Sequence, residues 1–228
     1  MNRRLGVGRV RYDSAMALSA VELNWEAQPL PDASAAALIE DAQSRIERFI
    51  RSRRDNDPIP SFVACDFVMV DRALGEVVER GLSTGPVFCE WGAGFAVAAG
   101  LASLRGLASH AIEIHRDLVA EAERLLRDHG LVVEVAQGSL VPEDGDEIVD
   151  ELASQDWLKT NEHPAYDELG IDASDIDLIF AYPWPGEEGL IEALFDAFAA
   201  EGALLLTYHG MNEIKLQRKV QDDGADDD

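Results

Sequence analysis

The stretch that decides the fold is Pro86-Val87-Phe88-Cys89-Glu90-Trp91-Gly92-Ala93-Gly94-Phe95-Ala96-Val97. Its apolar run, Pro86–Glu90, reads as a short buried strand, and Phe95–Leu104 reads as a helix. Between them lies a turn with two glycines, residues that tolerate positive φ and let backbone pass close to a ligand. The helix that follows presents free N–H groups and the positive end of its peptide dipoles. A dinucleotide-binding turn wants Gly-x-Gly-x-x-Gly, but the last position here is Val97, whose side chain would crowd helix against strand. Glu90 stands before the first glycine, where it would repel a pyrophosphate and welcome a cationic or zwitterionic ligand. An amino acid with a sulfonium nearby suits an acid, small residues and helix N–H groups together.

Downstream of this unit, strands and helices alternate. Ser109–Ile114, Leu131–Ala136, Asp177–Ala181, Ala203–Tyr208 and Ile214–Val220 read as strands. Arg116–Asp128, closed by Gly130, and Gly189–Ala200 read as helices. The expected fold is therefore α/β: a doubly wound, mainly parallel Rossmann-like sheet with helices on both faces and right-handed crossovers. Its seventh strand is missing or supplied from elsewhere. Upstream, residues 1–33 lack sustained periodicity and contain Pro29 and Pro31, so they read as a loosely ordered arm. Ser34 is placed to cap a helix from about Ala35 to Arg54, with Leu38, Ile39, Ala42, Ile46, Phe49 and Ile50 on one face. Asp57-Pro58-Ile59-Pro60 stops that helix. A second, about Val70 to Arg80, ends at Gly81. The organisation expected is an N-terminal arm and helical extension over 1–60, a ligand-binding domain over 61–220 and a disordered acidic tail over 221–228.

In open α/β sheets, ligands bind beyond the carboxyl ends of the strands, so each strand end is a candidate. The second strand ends Ala111-Ile112-Glu113-Ile114, and Glu113 is placed to accept both hydroxyls of a ribose. The third ends Gln137-Gly138-Ser139, with polar groups suited to an adenine edge. The fourth ends Ala181-Tyr182-Pro183-Trp184-Pro185-Gly186, too proline-rich to continue the sheet. Its rings suit a methyl donor and a nitrogen nucleophile, with cation–π attraction for a charged species.

Composition narrows the partners. Of 228 residues, 47% are hydrophobic, enough for a sizeable core, and the net charge is −25. That charge is uneven: residues 1–54 hold nine Arg against seven acids, whereas the rest hold ten Lys and Arg against 37 acids. Such a surface repels phosphate backbones, which argues against a nucleic-acid partner and permits attraction of a cationic one. No apolar run reaches the roughly 18 residues of a membrane span, and no membrane partner is expected. Two unpaired-looking cysteines, Cys65 and Cys89, and no export signal point to a cytoplasmic location. His110, His115, His129, His163 and His209 show no ligand spacing, so no metal is expected.

Together the four strand ends resemble the class I S-adenosylmethionine-dependent methyltransferases over about Phe62 to Val220. Glu90-x-Gly92-x-Gly94-x-Ala96 is similar to the family's first motif, E/D-x-G-x-G-x-G, with alanine for the last glycine. The resemblance implies S-adenosylmethionine as cofactor, its methionine part held by Glu90, Trp91, Gly92 and Gly94 and its ribose by Glu113 beside Ile114. Gly138-Ser139 falls where many members carry a Gly-Asp pair beside the adenine. Ala181-Tyr182-Pro183-Trp184 is similar in position to the Asn/Asp-Pro-Pro-Tyr motif of many N-methyltransferases, which makes Tyr182 and Trp184 the catalytic candidates, although the amide or carboxylate of that motif is absent. Ser61-Phe62-Val63-Ala64-Cys65-Asp66 resembles the segment that folds over the cofactor in small lysine methyltransferases of this class and brings Asp66 into the cofactor set. The function implied is methyl transfer, by in-line displacement at the sulfonium methyl, to a protein or small-molecule acceptor, most naturally an amine. The alternatives are a non-catalytic S-adenosylmethionine- or nucleoside-binding protein and, disfavoured by Val97 and Glu90, a nicotinamide-dependent oxidoreductase.

Overall fold

The computed structural model describes residues 17–53, 62–152, 163–211 and 213–221. Arg54, Ser61, the Asp57–Pro60 stop and most of the acidic tail lie outside the described residues. The strands are β1 (Leu18–Val21), β2 (Val87–Trp91), β3 (Ala108–Glu113), β4 (Val133–Gln137), β5 (Leu178–Ala181), β6 (Leu204–Gly210) and β7 (Glu213–Lys219). The helices are α1 (Ala33–Arg53), α2 (Phe67–Glu79), α3 (Val97–Leu104), α4 (Arg116–Asp128), α5 (Asp146–Leu152), α6 (Tyr166–Leu169) and α7 (Glu188–Phe198). One seven-stranded sheet runs in the order β1-β7-β6-β5-β2-β3-β4. Its central pairs, β4 with β3, β3 with β2, β2 with β5 and β5 with β6, are all parallel. Strand β7 returns antiparallel to β6, and β1 pairs antiparallel with β7. The sheet is thus Rossmann-like and mostly parallel, with the topological switch on either side of β2.

Period-two alternation divides the core into two layers. Phe88 of β2, Ala111 of β3, Phe180 of β5 and Leu204 and Leu206 of β6 face the cluster built from α1, α2, α3 and α4. Cys89, Trp91, Ile112, Ile179 and Leu205 face the opposite layer, where α5, α6 and α7 contribute Ile148, Leu169, Leu194 and Phe195. Side-chain ties brace the first layer. Asp71 of α2, 1% exposed, accepts from Arg105 Nε and Nη2 at 3.0 and 2.8 Å, just beyond α3. Asp41 of α1 meets His129 Nε2 at 3.0 Å at the end of α4.

Several expectations shift in detail. The cap of α1 is Asp32, whose Oδ1 accepts from the N–H groups of Ser34 and Ala35, rather than Ser34. On the apolar face of α1, Leu38, Ile39, Ala42 and Ile46 are buried, whereas Ile50 is 42% exposed. Helix α2 starts earlier than Val70 because Asp66 Oδ1 accepts from Val68 N and Met69 N. The segment read as a loosely ordered arm contributes more. Leu18–Val21 completes the sheet as its seventh strand, with Leu18 opposite Lys219 and Val21 opposite Leu216. Four residues carry too little periodicity to be seen alone, and only the open edge of β7 makes them a strand. Next to it, Trp25–Ala27 forms a 3-10 turn held by Arg72, whose guanidinium lies 5.4 Å from the Trp25 ring centre and donates to Gln28 O. Among the described residues no helix is long and apolar enough to cross a membrane.

Because β1 covers an edge that would otherwise offer free backbone groups, its removal has a definite consequence. A chain lacking residues 1–21 is expected to melt at a lower temperature and to self-associate in light scattering. An unchanged melting temperature and a monodisperse monomer would show that β1 contributes nothing to the sheet.

Candidate functional site

The turn between β2 and α3 is built by three residues with positive φ: Gly92 (68°), Gly94 (57°) and Ala96 (52°). Gly92 faces open space, so there the backbone angle alone calls for glycine. At Gly94 both angle and room matter, since a Cβ would stand 2.7 Å from the Phe62 ring. Ala96 occupies the left-handed region with a side chain, at the position of the third glycine in the motif.

Two buried glutamates hold this turn. Glu113, 5% exposed at the end of β3, accepts from Gly94 N at 2.7 Å through Oε2 and from His115 N at 2.8 Å through Oε1. Burial pushes its carboxyl upward, and those two backbone bonds work against the rise. Glu90, also 5% exposed, accepts from Ala99 N at 2.8 Å. Burial raises its carboxyl to about 8, opposed by the Ala99 and Ala98 amides. Glu90 therefore caps α3 from the neighbouring strand. The helix N-terminus expected to be free for a ligand is partly occupied by the protein's own acid, because Ala96 has no side-chain oxygen to serve as a local cap.

These groups open onto one cavity beyond the carboxyl ends of β2, β3, β4 and β5. Glu90, Trp91, Gly92, Gly94, Glu113, Ile114, Gly138, Ser139, Ala181, Tyr182 and Trp184 all line it. The Trp91 indole, 2% exposed, packs into the layer of α5–α7, with no partner for Nε1 among the described residues. At Gly138 a Cβ would meet His163 O at 2.7 Å, so the backbone there needs glycine to pass. Ser139 Oγ accepts from Val141 N at 3.1 Å, and its backbone pairs with His163 and Ala165. Tyr182 packs edge-on against Tyr208, centroids 4.9 Å apart. Its phenol is raised by burial and then by Cys65.

Asp66 does not line the cavity. It is exposed and spends its carboxylate on capping α2, while its neighbours Phe62, Val63, Ala64, Cys65 and Phe67 form part of the wall. Phe62 is stacked on Phe95 at 5.8 Å and meets Phe49 edge-on at 6.1 Å, which pins this segment over Gly94. Glu187 was not legible as a site residue. It lines the cavity, is 1% exposed, and neither carboxylate oxygen has a partner among the described residues. In sequence it is one of two adjacent acids at a helix start, a common placement with no chemical implication. Among the described residues the cavity wall contains no Lys or Arg. Among the described residues there is no His/Cys/Asp/Glu cluster fit for a metal ion.

No protein-family model matches the sequence, and no curated protein matches it. Among solved structures the chain is similar to an RNA methyltransferase from Salinibacter ruber in complex with S-adenosyl-L-homocysteine, at 18% identity and TM-score 0.48, over 72% of this chain and 98% of that one. It is also similar to a methyltransferase from Geobacter sulfurreducens, at 17% identity and TM-score 0.48, over 86% and 94% of the two chains. A third is the O-methyltransferase TomG from Streptomyces achromogenes in complex with SAM, at 13% identity and TM-score 0.45, over 78% and 65%. The likeness is confined to the fold.

Two measurements probe the turn. Glu90 has a folded-state carboxyl above its unfolded value of about 4.5, so its contribution to stability is present below that pH and is lost as pH rises toward about 8. Glu90→Gln removes this loss, and the variant is expected to gain stability relative to the parent between pH 5 and 8, by up to a few kcal/mol. Denaturant titrations showing a constant difference across that range would mean that Glu90 ionises as freely in the fold as outside it.

Ala96→Gly relieves a left-handed alanine and deletes one buried methyl, so it is expected to be neutral or stabilising. Ala98→Gly, at a regular position of the same buried helix, is expected to cost about 1 kcal/mol or more. Equal losses in the two variants would show that Ala96 is unstrained.

Proposed function

We propose that this chain is a class I, Rossmann-like S-adenosylmethionine-dependent methyltransferase acting on an amine of a protein or small molecule. The observation that carries this reading is the Glu113 carboxylate, fixed by Gly94 N and His115 N at a strand end inside the cavity. A carboxylate offers about four acceptor positions, and two remain for the paired hydroxyls of a ribose. The rest of the wall fits the same group. Gly92 leaves open space beside the turn for the methionine part, and Gly138 and Ser139 stand where an adenine edge would lie. Three acidic side chains with no Lys or Arg beside them among the described residues suit a sulfonium better than a pyrophosphate.

When bound, S-adenosylmethionine supplies a methyl group made electrophilic by its sulfonium. The protein's part is alignment and exclusion of water. Phe62 and Cys65 wall the cavity from one side and Tyr182 and Trp184 from the β5 side, where the acceptor would enter. The aromatic rings suit a cationic or freshly deprotonated amine, and the acidic surface beyond residue 54 disfavours nucleic acid. Asp66, occupied as a helix cap, has no place among the cofactor contacts in this proposal.

S-adenosylhomocysteine is expected to stabilise the protein, by about 2.7 kcal/mol at a hundred times its dissociation constant, and NAD to have no effect. Glu113→Ala should weaken that binding about tenfold or more and lower the stability of the free protein, because Gly94 N and His115 N lose their acceptor. Calorimetry giving equal affinities for the variant and the parent, or a melting shift with NAD alone, would defeat the reading.

A further inference from the structure

An isolated, unpaired carboxylate is costly to bury, and native structures rarely tolerate one without a use. Glu187 is 1% exposed, faces the cavity, and neither oxygen finds a donor among the described residues. It is not idle for want of local donors. Glu187 is the N-cap residue of α7, yet its side chain makes no capping bond. Its backbone oxygen, not its carboxylate, takes the Leu190 and Ile191 amides at 3.1 Å each. The adjacent Glu188 serves the turn instead, accepting from Gly186 N at 2.8 Å. The turn itself is set by Gly186 at φ 95° and by the Glu187 N–H bond to Trp184 O at 2.9 Å. That geometry turns Glu187 inward, beneath the same strand end that carries Tyr182 and Trp184.

The other two carboxylates of the cavity differ in kind. Glu90 and Glu113 are each satisfied by backbone amides and lie at the ends of β2 and β3, under the glycine turn. Glu187 follows β5, on the far side of β2 from β3. The division follows the sheet: structural carboxylates on the cofactor side, a vacant acceptor on the other.

We propose that Glu187 is the acceptor-side carboxylate of this site: it binds an N–H of an amine acceptor and takes the proton released on methyl transfer. This rests on the methyltransferase reading above. In the balanced step the acceptor nitrogen forms a bond to the methyl carbon, the carbon–sulfur bond breaks with its electron pair left on sulfur, and one N–H proton passes to a Glu187 carboxylate oxygen. Glu187 then returns the proton to water as product leaves. The carboxyl is suited to the exchange, since burial, and then the nearby Glu188, push it up to about 7.

The probe is sinefungin, the S-adenosylmethionine analogue in which an amine-bearing carbon replaces the methyl sulfonium, so that a cation stands where the transferred group and acceptor meet. Sinefungin and S-adenosylhomocysteine are titrated by calorimetry into the parent protein, Glu187→Gln and Glu187→Ala. The parent is expected to prefer sinefungin. Both variants should lose about tenfold or more of that preference while keeping S-adenosylhomocysteine affinity within about twofold, which also reports that they are folded. A preference preserved in both variants, or S-adenosylhomocysteine affinity falling in parallel with it, overturns the role of Glu187. Failure of the parent to bind either compound rejects the methyltransferase reading itself, and this proposal with it.

Discussion

The site depends on one hydrogen bond, from Gly94 N to Glu113 Oε2 at 2.7 Å. It spans two adjacent parallel strands: the donor lies in the turn after β2, the acceptor at the end of β3. Because Glu113 also takes the His115 amide, one carboxylate fixes the turn before α3 and the start of α4 together. The bond forms only if β2 and β3 are in register, with Glu90 beside Ala111 and Trp91 beside Ile112. Sheet register, turn conformation and site geometry are therefore one constraint. A slip of one residue would send Glu113 into the α5–α7 layer and leave the turn without its anchor.

Burying acid beside acid is unfavourable, and the fold offsets it in a graded way. Glu113 receives two backbone amides; Glu90 receives the first-turn amides of α3 and the positive end of that helix. Glu187 receives no donor among the described residues. Phe62, Phe95 and Phe49 pack on one another over the turn, and the apolar surroundings strengthen the bond between Gly94 and Glu113.

Most of the frame was legible from residues 85 to 137. There the signals are local: a short apolar strand, positive-φ glycines, an amphipathic helix over Arg116–Asp128 that forms as read, and a carboxylate closing a strand. The acidic region between Glu143 and Asp177 was less transparent. Its helices α5 and α6 are short and are stabilised by burying Ile148, Val149, Tyr166 and Leu169 against the sheet rather than by intrinsic periodicity. β1 was missed for the related reason that a four-residue edge strand exists only by virtue of the partner it pairs with.

The sequence by itself determined the class of sheet, the glycine turn with its preceding acid, and the strand ends where a ligand would sit. Those features follow from steric limits on φ and ψ and from burial periodicity, which act between near neighbours. Only the tertiary structure decided what each acid does. Asp66, Glu90, Glu113 and Glu187 are chemically near-equivalent in sequence, yet one caps α2, one caps α3, one holds the turn and one finds no donor among the described residues. A carboxylate's role is set by the donors that reach it and the water that does not. Those donors come from elements up to nineteen residues away in Gly94–Glu113, and from chain folding that no local pattern encodes.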